Sequence, residues 1–185
     1  LAVIDPGFSA TDPRLHDGSV YVTNNQAQQV GKLNRQIDEL SGVAAVLSPD
    51  IDVLQDGTDV VTLDRATWQL TRLDAGSLSL DRASSLPADA DLALRAGRMV
   101  ISNPETGAMW SRGISESTGI DYRRATPDLD LGPGGRSTLG VDGTAYGISV
   151  ERGELLSLAP GADPQTQTQV TRLPFTPSRD LEVTV

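Results

Sequence analysis

Residues 56–63 read Asp56-Gly57-Thr58-Asp59-Val60-Val61-Thr62-Leu63, a tight turn that opens a short apolar run. The same phrase recurs three times. Asp17-Gly18 leads into Val20-Tyr21-Val22, Ala96-Gly97 into Met99-Val100-Ile101, and Asp142-Gly143 into Ala145-Tyr146-Gly147-Ile148. The turn glycines Gly18, Gly57, Gly97 and Gly143 lie 39, 40 and 46 residues apart. In each unit a second turn and a second strand follow. A period near 40 residues with several strands per unit predicts an all-β chain of the β-propeller kind.

Unit two carries the plan most openly. Residues 51–54 form a short strand, and Asp56-Gly57 turns the chain back into residues 59–64, whose apolar run reads as buried on both faces. Residues 68–74 alternate apolar and polar, and residues 77–86 alternate again through Leu78, Leu80 and Leu86. That makes the four strands of a propeller blade. Applied along the chain, the plan gives an irregular segment over residues 1–15 and one propeller-like domain over residues 16–185. Its units lie near residues 16–50, 51–90, 91–136 and 137–178. Residues 179–185, with Leu181, Val183 and Val185 in alternation, look like the first strand of a further unit. Two stretches read as linkers, the glycine- and proline-rich residues 115–136 and the polar residues 160–168.

One four-stranded unit cannot bury both of its faces; stacking units around an axis buries each against the next. Four units and a leftover strand fit a fragment cut from a larger propeller, and a chain that begins at Leu1 fits a processed or truncated product. An open arc exposes an apolar end, which favours pairing with a second copy. The alternative fold is a β-sandwich, for which turn signals every 8–12 residues are equally expected.

The chain has 185 residues, 38% of them hydrophobic, enough for one sizeable core. With 15 basic and 25 acidic residues it carries a net charge of −10. That charge repels phosphate backbones and anionic lipid, so no nucleic-acid partner is expected. The absence of cysteine excludes disulfides, zinc–thiolate sites and cysteine nucleophiles. No apolar run approaches the roughly 20 residues of a membrane helix, so any membrane contact is expected only through a segment outside this chain.

The stretch from Leu15 through Val20-Tyr21-Val22 to Asn24, the stretch from Val30-Gly31-Lys32-Leu33 to Leu40, and Ile51-Asp52-Val53-Leu54-Gln55-Asp56-Gly57 together resemble a known type of region. It is the N-terminal repeat region of large actinobacterial surface proteins that carry fibronectin type III or Ig-like domains further along. The resemblance covers most of residues 10–160. It implies an exported, cell-surface setting, with a signal or membrane segment upstream and more repeats downstream. It brings no catalytic residues.

The candidate chemistry is sparse. His16, the single histidine, sits beside an Asp-Gly turn and reads as surface. With one histidine and no cysteine, no transition-metal site is expected, and no cofactor. Asp128 and Asp130 could offer oxygens to Ca²⁺, but the spacing lacks the ligand series of an EF-hand loop, and alternate positions of a strand explain it as well. Asp50, Asp52, Asp56 and Asp59 cluster in sequence and would be the carboxylates of a glycan-active hydrolase or lyase, the enzymatic alternative. Trp68, Trp110 and Tyr122 are the candidate ligand-binding residues. Trp68 and Trp110 fall 11 and 13 residues past their turn glycines, a repeated position that packing between blades explains and that a glycan or peptide site would also use.

These readings lead to a non-enzymatic, extracellular scaffold or binding module with an unknown protein or glycan partner. An architectural spacer between a membrane anchor and distal domains is the third reading.

Overall fold

The computed structural model describes residues 19–34 and 37–177. The segment expected over residues 1–15, His16 and the strand expected over residues 179–185 lie outside the described residues.

Among the described residues the chain is all-β but for one 3-10 turn, Ile114–Glu116. Four antiparallel sheets follow one another along the sequence. Sheet one holds β1 (Val20–Asn24), β2 (Gln29–Asn34) and β3 (Glu39–Ala45). Sheet two holds β4 (Ile51–Asp56), β5 (Asp59–Asp64), β6 (Gln69–Leu73) and β7 (Ser84–Ser85). Sheet three holds β8 (Asp91–Arg95), β9 (Arg98–Ser102), β10 (Ala108–Gly113) and β11 (Leu129–Asp130). Sheet four holds β12 (Arg136–Leu139), β13 (Ala145–Ser149), β14 (Glu154–Leu158) and β15 (Gln169–Arg172).

Each pair of successive sheets encloses its own core. Tyr21, Val30 and Ala44 of sheet one meet Ile51, Val60 and Leu73 of sheet two. Val61, Leu63 and Leu70 of sheet two meet Met99, Ile101 and Trp110 of sheet three. Val100 and Met109 of sheet three meet Leu139, Ala145 and Leu156 of sheet four. The strand period of two makes this possible, because neighbours such as Val60 and Val61 point to opposite faces and enter different cores. A β-sandwich, in which two sheets share one core, does not produce that pattern. The chain is a propeller-like array.

The repeat is locked at the second turn of every unit. Asn24, Asp64, Asn103 and Ser149 each accept a backbone N–H with the side-chain oxygen, from Ala27 (3.1 Å), Ala66 (2.9 Å), Glu105 (2.9 Å) and Arg152 (3.3 Å). Such side-chain turns compete well with water for the local amides. Four residues past each, the backbone enters the left-handed region at Gln28, Trp68, Gly107 and Gly153, with φ of 53°, 53°, 82° and 61°. The carbonyl of that residue then accepts the N–H that follows the outer strand, from Val46, Leu86, Leu131 and Leu173 at 2.8–2.9 Å. Counting back from these turns, β1 corresponds to β5, β9 and β13. Sheet one therefore lacks, among the described residues, the counterpart of β4, β8 and β12.

Three expectations change. The strand expected over residues 77–86 contracts to β7. The Asp74 carboxylate accepts the N–H of Gly76 and of Ser77 and the Ser77 hydroxyl, which curls residues 74–78 into a turn, and only the isolated Leu73–Leu80 bridge precedes β7. Ile37 and Leu40 of residues 36–40 read in sequence as either an outer strand or one turn of helix; the structure places the outer strand over Glu39–Ala45. Residues 115–136 are more than a linker. They contain β11, and residues 117–122 are stapled to sheet two. There Ser85 N–H donates to Ile120 O and Tyr122 N–H to Ser85 O, both at 2.8 Å. The Ser84 hydroxyl donates to Ser117 O at 2.6 Å.

Gly107 and Gly153 hold the same turn position but differ in surroundings. A Cβ on Gly107 would lie 2.2 Å from the Gly132 nitrogen, whereas at Gly153 the nearest atom is 4.0 Å away. Gly153→Ala should cost only the left-handed backbone, about 1 kcal/mol. Gly107→Ala adds a backbone collision and should cost more than about 3 kcal/mol. Urea unfolding of the two variants checks the contrast.

Candidate functional site

The residues singled out from sequence converge, but inward. Trp110 and Tyr122 are 3% and 1% exposed. Their rings meet edge to face with centroids 5.6 Å apart and an interplanar angle of 71°, the arrangement the ring quadrupoles favour. The indole N–H donates to Thr126 O at 3.0 Å. Trp68 is half-buried against the same cluster. These side chains fill the junction between sheets two and three and leave no stacking surface on Trp110 or Tyr122 for a sugar. Trp68 and Trp110 are also not equivalent. The turn glycine is the first of two hairpin residues in unit two and the second in unit three, so counting from it slips by one. Measured from the side-chain turns, Trp68 matches Gly107, and Trp110 matches Thr71.

The acidic residues are dispersed and mostly engaged. Asp52 pairs with Arg65. Asp56 reaches across to sheet three and accepts the Ala96 N–H at 2.7 Å. Asp59 is held above the usual carboxylate range by burial, opposed by Arg72 and reinforced by Asp56. Asp50 is an exposed loop residue whose carbonyl accepts the Arg65 N–H. Asp128 accepts the Ser111 N–H at 2.8 Å and pairs with Arg112. Asp130 accepts the Gly132 N–H at 2.9 Å. Among the described residues no group of three or more His, Asp or Glu is placed to hold a metal ion.

Two surface features were not placed by sequence reasoning, which expected an exposed apolar end without assigning its residues. The first is the outer face of sheet one, where Val20, Val22, Leu40 and Val43 are 36–59% exposed. Val20 and Val22 stand where sheet two carries Val60 and Thr62, and sheet three Met99 and Ile101, residues that each sheet turns towards the one before it. The second is a cleft of about 150 Å³ between sheets one and two. It is lined by the cross-strand pair Thr62 and Thr71, by Asp64, Gln69 and Asp81, and by Val46, Ile51 and Leu80. A shallower depression of about 300 Å³ lies at the end of the array, beside Arg152, Arg172 and Phe175.

Sheets of this order and packing define a propeller-like repeat protein. In fold the chain is similar to dihydro-heme d1 dehydrogenase NirN, solved in complex with DHE. The TM-score is 0.62 at 13% identity, over 87% of this chain and 36% of that one. It is also similar to Kluyveromyces lactis Hsv2 (TM-score 0.55, 8% identity, 78% of this chain and 46% of that one). A third likeness is to Kuenenia stuttgartiensis hydrazine synthase (TM-score 0.51, 12% identity, 92% and 53%). The chain thus spans between about a third and a half of the solved proteins it matches. At such identities the likeness is one of fold. No family model and no curated protein matches the chain.

Burial pushes the Tyr122 phenol up to about 12 from its ordinary 10.0, against the pull of Arg112. A raised folded value means the stability from the neutral phenol is intact below pH 10 and drains away as pH rises towards 12. Stability should fall by about 2 kcal/mol across that window. Tyr122→Phe, which keeps the ring contact, should flatten the fall; denaturant melts from pH 9 to 12 check it.

Proposed function

We propose that this chain is a non-enzymatic scaffold or binding module of an exported, cell-surface protein, acting through the open end of its sheet array. One observation carries the reading. Val20, Val22, Leu40 and Val43 expose an apolar face at the register by which later sheets pack on their predecessors. A contiguous exposed apolar patch on a folded domain commonly marks an interaction surface. By continuity with the three internal junctions, the occupant of this face is another sheet of the same kind, supplied by a second copy of the chain. The exported setting rests on the sequence resemblance. The dispersal of Asp50, Asp52, Asp56 and Asp59 among pairing and loop roles supports the non-enzymatic part.

Sedimentation velocity over a range of concentrations tests this. The chain should associate, and Val22→Asp with Val43→Asp should yield a folded monomer. A wild-type chain that stays monomeric at high concentration would contradict the surface assignment. Turnover of a glycoside that is lost in Asp56→Asn would overturn the non-enzymatic reading.

A further inference from the structure

The cleft between sheets one and two has a counterpart one junction further along, and that counterpart is full. Thr62 and Thr71 pair across β5 and β6 as Ile101 and Trp110 pair across β9 and β10. Between sheets two and three, the Ile101 side chain and the Trp110 indole close the space, with Tyr122 behind them. Between sheets one and two, two threonines stand in their place, and about 150 Å³ stays open. Replacing an aliphatic and an indole side chain by two hydroxyls costs packing, and the exposed mouth brings no compensating burial. At the rim Leu47 is 95% exposed and Leu80 36%.

The lining selects the occupant. The Thr62 hydroxyl donates to Thr71 O at 3.3 Å, which leaves its oxygen lone pairs to accept from elsewhere. Asp64 and Asp81 add negative charge; Asp81 also pairs with Arg72 at 3.8 Å, and Arg72 is not among the residues that line the cleft. Asp64 already accepts the Thr67 hydroxyl at 2.7 Å and backbone N–H groups, all neutral donors, so its charge is not cancelled. Val46, Ile51 and Leu80 suit an aliphatic stem. A cleft lined by aliphatic groups, threonine and glutamine oxygens and two carboxylates matches one side chain, because the guanidinium is cationic, donor-only and carried on an aliphatic stem.

We propose that this cleft binds an arginine side chain of a partner peptide, with an apolar neighbour of that arginine covering Leu47. The chain's net charge of −10 draws such a partner in. The site is separate from the outer face of sheet one and stands whether or not the chain self-associates.

The test uses the Val22→Asp, Val43→Asp chain, so that self-association does not intrude. The probe is an acetylated, amidated Leu-Arg-Leu tripeptide, followed by NMR amide shifts. The control replaces arginine with citrulline, which has nearly the same shape and no charge. The expected result is saturable shifts at Thr62, Thr71 and Ala83 with the arginine peptide and affinity at least about tenfold weaker for citrulline. Asp81→Asn should weaken binding, and higher salt should weaken it further. Thr71→Trp, which copies the filled junction, should abolish binding while leaving the spectrum folded. Equal affinity for both peptides, binding that survives Thr71→Trp, or no shifts at millimolar peptide would overturn the proposal.

Discussion

In sheets two and three the second strand must supply two cores at once. On β5, Val60 enters the junction with sheet one, while Val61 and Leu63 enter the junction with sheet three. On β9, Met99 and Ile101 face backwards and Val100 forwards. Burying each such side chain contributes about 1.5–3 kcal/mol, and that contribution exists only when a sheet has a neighbour on the relevant side. No sheet of this kind is stable by itself. The architecture follows from strands without a polar face: stack, continue stacking, and leave the problem at the ends.

A period of two makes this arrangement intolerant of slippage. Sliding β5 by one residue would exchange Val60 with Val61 and thrust Thr62 into the aromatic core. The side-chain turns at Asn24, Asp64, Asn103 and Ser149 prevent that slip. Each turn fixes where one strand stops and the next begins, and the carbonyl at its left-handed residue ties down the segment that follows the outer strand. The junctions are held from both ends as well. The Gln55 amide donates to Ser19 O at 2.9 Å and accepts the Tyr21 N–H, joining sheets one and two, while Asp56 joins sheets two and three.

Much of this was legible in the residues themselves. The apolar runs of residues 59–64 and 98–102, framed by Asp56-Gly57 and Ala96-Gly97, gave strands whose observed ends are Asp59–Asp64 and Arg98–Ser102. Glycine counting was a poorer ruler than the side-chain turns, since it aligned Trp68 with Trp110 and so suggested a repeated aromatic position. The better marker, an Asn, Asp or Ser four residues before a left-handed residue, was present in sequence but obscured, because Gln28 and Trp68 fill a position where glycine is the expected residue. The cleft was not legible, because it is an absence in packing, visible only when the threonines at residues 62 and 71 are set beside their filled counterparts. An exposed apolar end was expected from the open array, but not which residues form it.

The central claim is that successive sheets stand side by side, with their inner hairpins touching. The β8–β9 hairpin meets the β12–β13 hairpin, and a Cβ built on Gly143 lies 3.6 Å from the Ala96 Cβ. That separation is within reach of a disulfide, whose Cβ atoms sit about 3.8 Å apart; a side chain at residue 143 must also take φ 78° and displace the flexible Arg98 Cδ, 3.1 Å away, which costs about 1 kcal/mol. The chain contains no cysteine to compete. The Ala96→Cys, Gly143→Cys variant, folded and then mildly oxidised, should lose both thiols to one intramolecular bond in a monomer, identified by peptide mapping. If both thiols stay free in the folded protein, or link only between molecules, the side-by-side stacking of sheets three and four is wrong.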